Sequence, residues 1–281
     1  MFYKCIGPDL LVTLDDCFDL AVTLQCGQCF RFFPFGQGFR GVGLDHGLTV
    51  FQQDENTLLF QNTTPQQFEE IWMDYFDLKR DYKALRQRMS CYPCLAAAAD
   101  FAPGLRVLNQ GRWEALATFI LSQNNNIPRI TGIVQRLCRT FGEPLGDELY
   151  TFPSAQTLAG LTLEDLAPLR AGFRAKYLLD AAKRVADGSL DLEKTALMDT
   201  DKAAEQLCVI HGVGPKVARC ALLYGFGHSD ALPVDVWIRR VLDCHFPHGF
   251  PAELADCAGL IQQFLFEYAR HCPGALDPQE A

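Results

Sequence analysis

The first 95 or so residues alternate between apolar and polar positions. FRFFPFGQGFRGVGLDHGLTVFQ and NTLLFQNT switch at short intervals, with Phe recurring and with Gly and Asp54-Glu55-Asn56 interrupting. A period near two buries one face of an extended chain, so these runs predict antiparallel strands joined by hairpins. Thr64-Pro65-Gln66-Gln67 has the form of a capping box with proline in the first helical position. It opens a predicted helix through FEEIWMDYF, and a second helical segment includes LKRDYKALRQRM. Residues 1–95 therefore predict an α+β domain.

From about Ala96 the period lengthens to that of helices. Gly111-Arg112-Trp113-Glu114 leads into ALATFILSQ, and the asparagine run Asn124-Asn125-Asn126 breaks the helix. An amphipathic stretch through ITGIVQRLCRTFG then runs to a stop at Gly142. Further helices are predicted over LDAAKRVADG, DKAAEQLCVIH, VWIRRVLDCHF and Asp256 to Arg270. Residues 96–281 are expected to be all-α, with the last helix packing back toward the first domain.

One stretch carries candidate chemistry. In LCVIHGVGPKVARCALLYGFGHSDALPVDVWI, an apolar helix meets the tight turn Gly212-Val213-Gly214, and a second helix opens with Pro215. This predicts a helix, a hairpin and a helix at about 203–224. The two glycines leave backbone N–H groups unobstructed at a positive helix end, a seat for a nucleic-acid phosphate. Lys216 follows in the first helical turn, where the helix dipole and partial burial are expected to lower its pKa toward the nucleophilic amine. Asp235 lies 19 residues on, before a predicted helix, and reads as an ionised N-cap.

Composition adds limits. The chain has 281 residues, 49% of them hydrophobic, and no apolar run near the roughly 20 residues of a membrane span. Its start, MFYKCIGPDLLVTLDD, has no basic head followed by an apolar core, so a cytoplasmic location is expected. Twelve irregularly spaced cysteines suit reduced thiols better than a disulfide framework. The pairs Cys26/Cys29 and Cys91/Cys94 have C-x-x-C spacing, but nothing around them suggests a compact zinc module. The net charge of −9 opposes nucleic-acid binding. From Asn126 to Arg240, however, 14 Lys/Arg balance 14 Asp/Glu, so the acidic excess lies elsewhere.

The pattern GVGxKVA followed by PVDV resembles the helix-hairpin-helix DNA glycosylases, specifically the 8-oxoguanine DNA glycosylase/lyase branch. The resemblance runs from about Leu11 to Arg270. It implies a TBP-like antiparallel sheet domain ahead of the helical region. It also implies that Lys216 attacks C1′ of the damaged nucleotide while Asp235 supports the cationic sugar. Gly27-Gln28-Cys29-Phe30-Arg31 matches the family's G-Q-x-F-R, in which the glycine carbonyl accepts the N7–H that distinguishes 8-oxoguanine from guanine. AGxxQxxLF sets Gln262 against the guanine Watson–Crick edge and Phe266 under the base, with Cys220 facing its other side.

The same resemblance assigns the DNA contacts. Asn124, Arg129 and Arg174 would read the cytosine left unpaired, and Phe173, where relatives often carry Tyr, would wedge into the base stack. Gly212, Gly214, Val217 and Trp237 would line the backbone. The carbonyls of Cys208, Ile210 and Val213 would hold a structural Na, K or Ca ion, with no other cofactor required. Trp237 and Ala269 replace a His–Asp pair of some relatives, and His211 replaces a proline. Cys244, Cys257 and Cys272 are too few and too separated for the family's iron–sulfur motif. The expected partner is duplex DNA containing 8-oxoguanine, with no membrane, and the protein is expected to be a monomer.

Overall fold

Six strands form one antiparallel sheet: β1 (Phe2–Ile6), β2 (Asp9–Thr13), β3 (Phe32–Phe35), β4 (Gly38–Gly43), β5 (His46–Gln52) and β6 (Thr57–Phe60). Their spatial order is β1-β2-β6-β5-β4-β3 in the computed structural model, which describes residues 1–272 and 274. The end of the predicted helical region beyond these lies outside the described residues. Leu10 and Val50 both pair with Phe60, and all three are fully buried, so one row of side chains crosses three strands. That register follows from the period-two burial read in the sequence.

The capping box at Thr64 forms, and Pro65 occupies its expected place. The helix it opens is not uniform: Pro65–Gln67 is α, Phe68–Trp72 is a π turn and Met73–Tyr75 returns to α. The wide turn brings both Phe68 and Trp72 into the core, where Phe68 meets Phe60 edge-on at 5.2 Å. The short helix Leu20–Gln25, capped by Asp19, carries no long apolar period and was not expected.

The apolar interior divides into two clusters. One joins the sheet to Leu20 and Leu24 of that short helix and to Phe68, Trp72 and Phe76; the larger is built from the helices that follow. Tyr82–Met89 and Pro93–Phe101 belong to the larger cluster, where Pro93–Phe101 packs on the final helix, Ala258–His271. The packing boundary therefore lies N-terminal to residue 95. Local periodicity finds a helix but does not say which core will receive it. The helical region also contains a small hairpin, β7 (Pro144–Gly146) with β8 (Leu149–Tyr150), turned by Asp147 and Glu148 at φ 49° and 59°. Its strands are too short to show a period.

Arg31 locks the two parts together. Its buried guanidinium donates to Glu114 Oε2 at 2.7 Å and to the Tyr150 carbonyl.

Candidate active site

The hairpin is built from Thr200–Leu207, capped by Asp199, and Pro215–Gly225. Gly212 sits at φ +80°, and a β-carbon there would meet the Tyr177 ring at 2.5 Å. Both the backbone conformation and the ring exclude a side chain. Tyr177 also packs edge-on against the His211 ring, and the His211 backbone N–H donates to Asp180 Oδ2 at 2.8 Å. Burial alone would raise the Asp180 carboxyl; the His211 N–H and Arg184 outweigh it and hold the group below its ordinary value. Gly214 is the N-cap of the second helix and brings no capping side chain, so first-turn N–H groups remain for an external acceptor.

Lys216 and Asp235 line the same cleft, of about 890 Å³. Asp235 is the N-cap of Val236–His245, and its Oδ1 accepts from Ile238 N at 2.9 Å. One carboxylate oxygen is thus fixed by the helix. The loop before Asp235 is pinned to the start of the hairpin: Thr200 Oγ1 lies 2.7 Å from Asp230 Oδ1 and 2.8 Å from His228 Nδ1. Lys216 Nζ lies 6.0 Å from the centre of the Phe119 ring, whose partner Tyr224 stacks on it at 5.0 Å. Burial pushes the Cys220 thiol up; the neighbouring Lys216 amine opposes that shift and the Asp235 carboxylate adds to it. All three groups therefore lie within electrostatic reach of one another.

Gly27 and Phe266 form another wall of the cleft. Gly27 has φ +88°, and a β-carbon would lie 2.9 Å from Ile127 Cδ1 and 3.9 Å from Phe266 Cε1. Its neighbour Gln28 is fully buried and holds it in place. The Gln28 amide donates to the carbonyls of Thr23 (2.8 Å) and Arg106 (2.7 Å) and accepts from Leu108 N (2.8 Å). Gln28 was expected only as part of the G-Q-x-F-R match, with no role of its own. One turn before Phe266, Gln262 is 4% exposed, and its Oε1 has no partner among the described residues. An amide oxygen stripped of water without a partner is unfavourable unless a ligand supplies a donor.

The asparagine run lies on the rim of the cleft. Asn126 caps Ile127–Phe141 by accepting from Arg129 N at 3.0 Å; Asn124 is exposed, with φ 46°. Arg129 is exposed and Phe173 is 46% exposed at the cleft. Arg174, expected to read the unpaired cytosine beside Arg129, is turned into the protein. It is 2% exposed and donates to the carbonyls of Gln123 (2.6 Å), Asn124 (2.5 Å) and Ala171 (3.2 Å), with its charge over the Phe173 ring. Two open carbonyls at the broken end of Arg112–Ser122, with that of Ala171 beside Gly172, attract the guanidinium inward.

Val217 and Trp237 line the cleft, and Ala269 is fully buried. Cys208 ends the first hairpin helix, and the Ile210 carbonyl accepts from Val213 N at 3.0 Å. Burial pushes the Cys26 thiol up to about 12, and Cys26 and Cys29 donate to the carbonyls of Thr23 and Leu24. Among the described residues no three His, Cys, Asp or Glu side chains cluster as metal ligands, and no helix is long and apolar enough to cross a membrane. Arg270 and Val236 also line the cleft, though the sequence reading singled out neither. Each neighbours a residue it did single out, so spacing offered a signal.

A sheet domain, a hairpin and a cleft holding a lysine and a capped aspartate define a helix-hairpin-helix protein of the base-excision class. Residues 10–116 match the family described as 8-oxoguanine DNA glycosylase, N-terminal domain, and residues 117–250 the HhH-GPD superfamily base excision DNA repair proteins. A probable N-glycosylase/DNA lyase of Methanothermobacter thermautotrophicus is 32% identical over 250 residues, covering 77% of this chain and 78% of that protein. The Saccharomyces cerevisiae N-glycosylase/DNA lyase is 31% identical, covering 79% of this chain and 66% of that protein. The structure of a Clostridium acetobutylicum 8-oxoguanine glycosylase/lyase, bound to duplex DNA with cytosine opposite 8-oxoguanine, superimposes with a TM-score of 0.89. Its identity is 30%, over 96% of this chain and 98% of that one. The chain belongs to the N-glycosylase/DNA lyase family.

Proposed function

We propose that this protein removes 8-oxoguanine from duplex DNA and cleaves the strand at the resulting site. The observation that carries this reading is the cleft itself, where Lys216 and Asp235 share one space with Gly27 and Phe266. The lesion must leave the stack, because its anomeric carbon is inaccessible within the duplex. Lys216 Nζ attacks C1′ and the base departs; ring opening then gives an imine, with the sugar O4′ leaving as an alcohol. Loss of a proton from C2′ expels the 3′ phosphate. Asp235 supports the developing oxocarbenium charge with the carboxylate oxygen not committed to Ile238.

The Gly27 carbonyl and the partnerless Gln262 Oε1 suit the N7–H and the Watson–Crick donors of the damaged base. Preference for cytosine opposite is part of the proposal. Cytosine presents O2 and N3 acceptors and an amino donor, which Arg129 and Asn124 complement, while Arg174 fixes the loop that carries Asn124. The carbonyls of Cys208, Ile210 and Val213 are oxygen donors of the kind a hard alkali or calcium ion takes. The chemistry itself uses no cofactor.

Borohydride trapping on duplexes carrying 8-oxoguanine opposite each of the four bases tests the reading. A covalent adduct that is strongest opposite cytosine and absent in Lys216→Gln is expected. Base release without any trapped adduct would instead favour a monofunctional glycosylase.

A further inference from the structure

Arg270 supplies an arginine to the cleft wall. Among the described residues that line the cleft, the ionisable groups are Lys216, Asp235 and Arg270. Lys216 is assigned to bond formation and Asp235 to the sugar cation, which leaves Arg270 with no part in the reaction proposed above. It lies one turn beyond Phe266 on Ala258–His271, so the two side chains share a helix face.

Its setting is built. Arg270 Nη2 donates to Glu267 Oε2 at 2.8 Å, and that glutamate is 3% exposed, also facing His271 Nδ1 at 3.2 Å. The buried carboxylate fixes the guanidinium at one nitrogen. Arg270 Nε is buried and has no hydrogen-bond partner among the described residues, and 30% of the side chain stays exposed. A guanidinium has five N–H donors in a rigid fork, and the protein satisfies few of them here. On the opposite rim Arg174 is not equivalent, because it is 2% exposed and spends its donors on three carbonyls.

We infer that Arg270 is a further DNA-binding residue, held by Glu267 to grip a backbone phosphate next to the extruded nucleotide. Phosphate is the group of the bound duplex that offers several anionic acceptors in the geometry a guanidinium fork matches. The inference rests on the glycosylase reading for its substrate, but its test reads binding alone, so trapping and binding can fail separately.

The test is equilibrium binding of the full chain to a duplex carrying 8-oxoguanine opposite cytosine, with single neutral methylphosphonates placed in turn along the lesion strand. At one linkage flanking the lesion, wild type should lose about tenfold in affinity. R270Q should bind the unmodified duplex about tenfold more weakly, ignore that one substitution, and show a salt-dependence slope reduced by about one. R270K, which keeps the charge, should recover part of the affinity and stands in if R270Q does not fold. Equal affinity and an unchanged methylphosphonate profile in a folded Arg270 variant would overturn the assignment.

Discussion

The Tyr177 ring lies only 2.5 Å from the position a β-carbon of Gly212 would take. The hairpin turn is thereby seated on the helix that begins beside Phe173, so the phosphate seat and the wedge are held in one rigid unit. Gly212→Ala should destabilise the fold by about 1–3 kcal/mol, through the positive φ and the displaced ring. Thermal melting measures the first effect, and a parallel loss of DNA affinity reports the displaced turn. An unchanged melting temperature would show that the ring yields freely.

Asp235 has two separable duties. Asparagine is as good an N-cap as aspartate, so Asp235→Asn should leave stability within about 0.5 kcal/mol while slowing base release by about a hundredfold or more, through the lost charge. Asp235→Ala should lose the same rate and also about 1 kcal/mol of stability. Single-turnover excision and urea denaturation on the two variants separate the duties. Equal stability of both would show that the Ile238 cap contributes nothing.

Arg129 and Arg174 were expected to act alike, and the structure separates them. Arg129→Ala, at an exposed position, should leave stability within about 0.5 kcal/mol yet weaken discrimination for cytosine by about tenfold. Arg174→Met strands the Gln123 and Asn124 carbonyls and should lower stability by about 2 kcal/mol or more, with affinity falling opposite all four bases. Melting curves with binding measured opposite each base check the division.

Asp180 gives the hairpin a pH dependence. Its carboxyl is held below the ordinary value of about 3.9, because the His211 N–H and Arg184 outweigh its burial. A depressed pKa contributes stability that is present above the unfolded value and is lost as pH falls through the folded one. The stability gap between wild type and Asp180→Asn should therefore be full at pH 5 and shrink as pH falls below about 4. A gap that stays constant across that range would remove the charge from the account.

What local backbone physics controls was legible in the chain. Pro215 after Gly214, Asp235 ahead of a helix and the Thr64 capping box all stand where the sequence put them, because each depends on residues within a turn. The two-part fold followed from the change in apolar period near Ala96, and the motif GVGxKVA with PVDV was enough to indicate the family. Tertiary structure decided the rest. Tyr177 above Gly212, Arg174 turned inward, Gln28 behind Gly27 and the arrival of Arg270 at the cleft wall are outcomes of how distant elements pack. A side chain with several donors goes where unpaired acceptors and space coincide. That coincidence is created by helices and loops meeting, and no period along the chain records it.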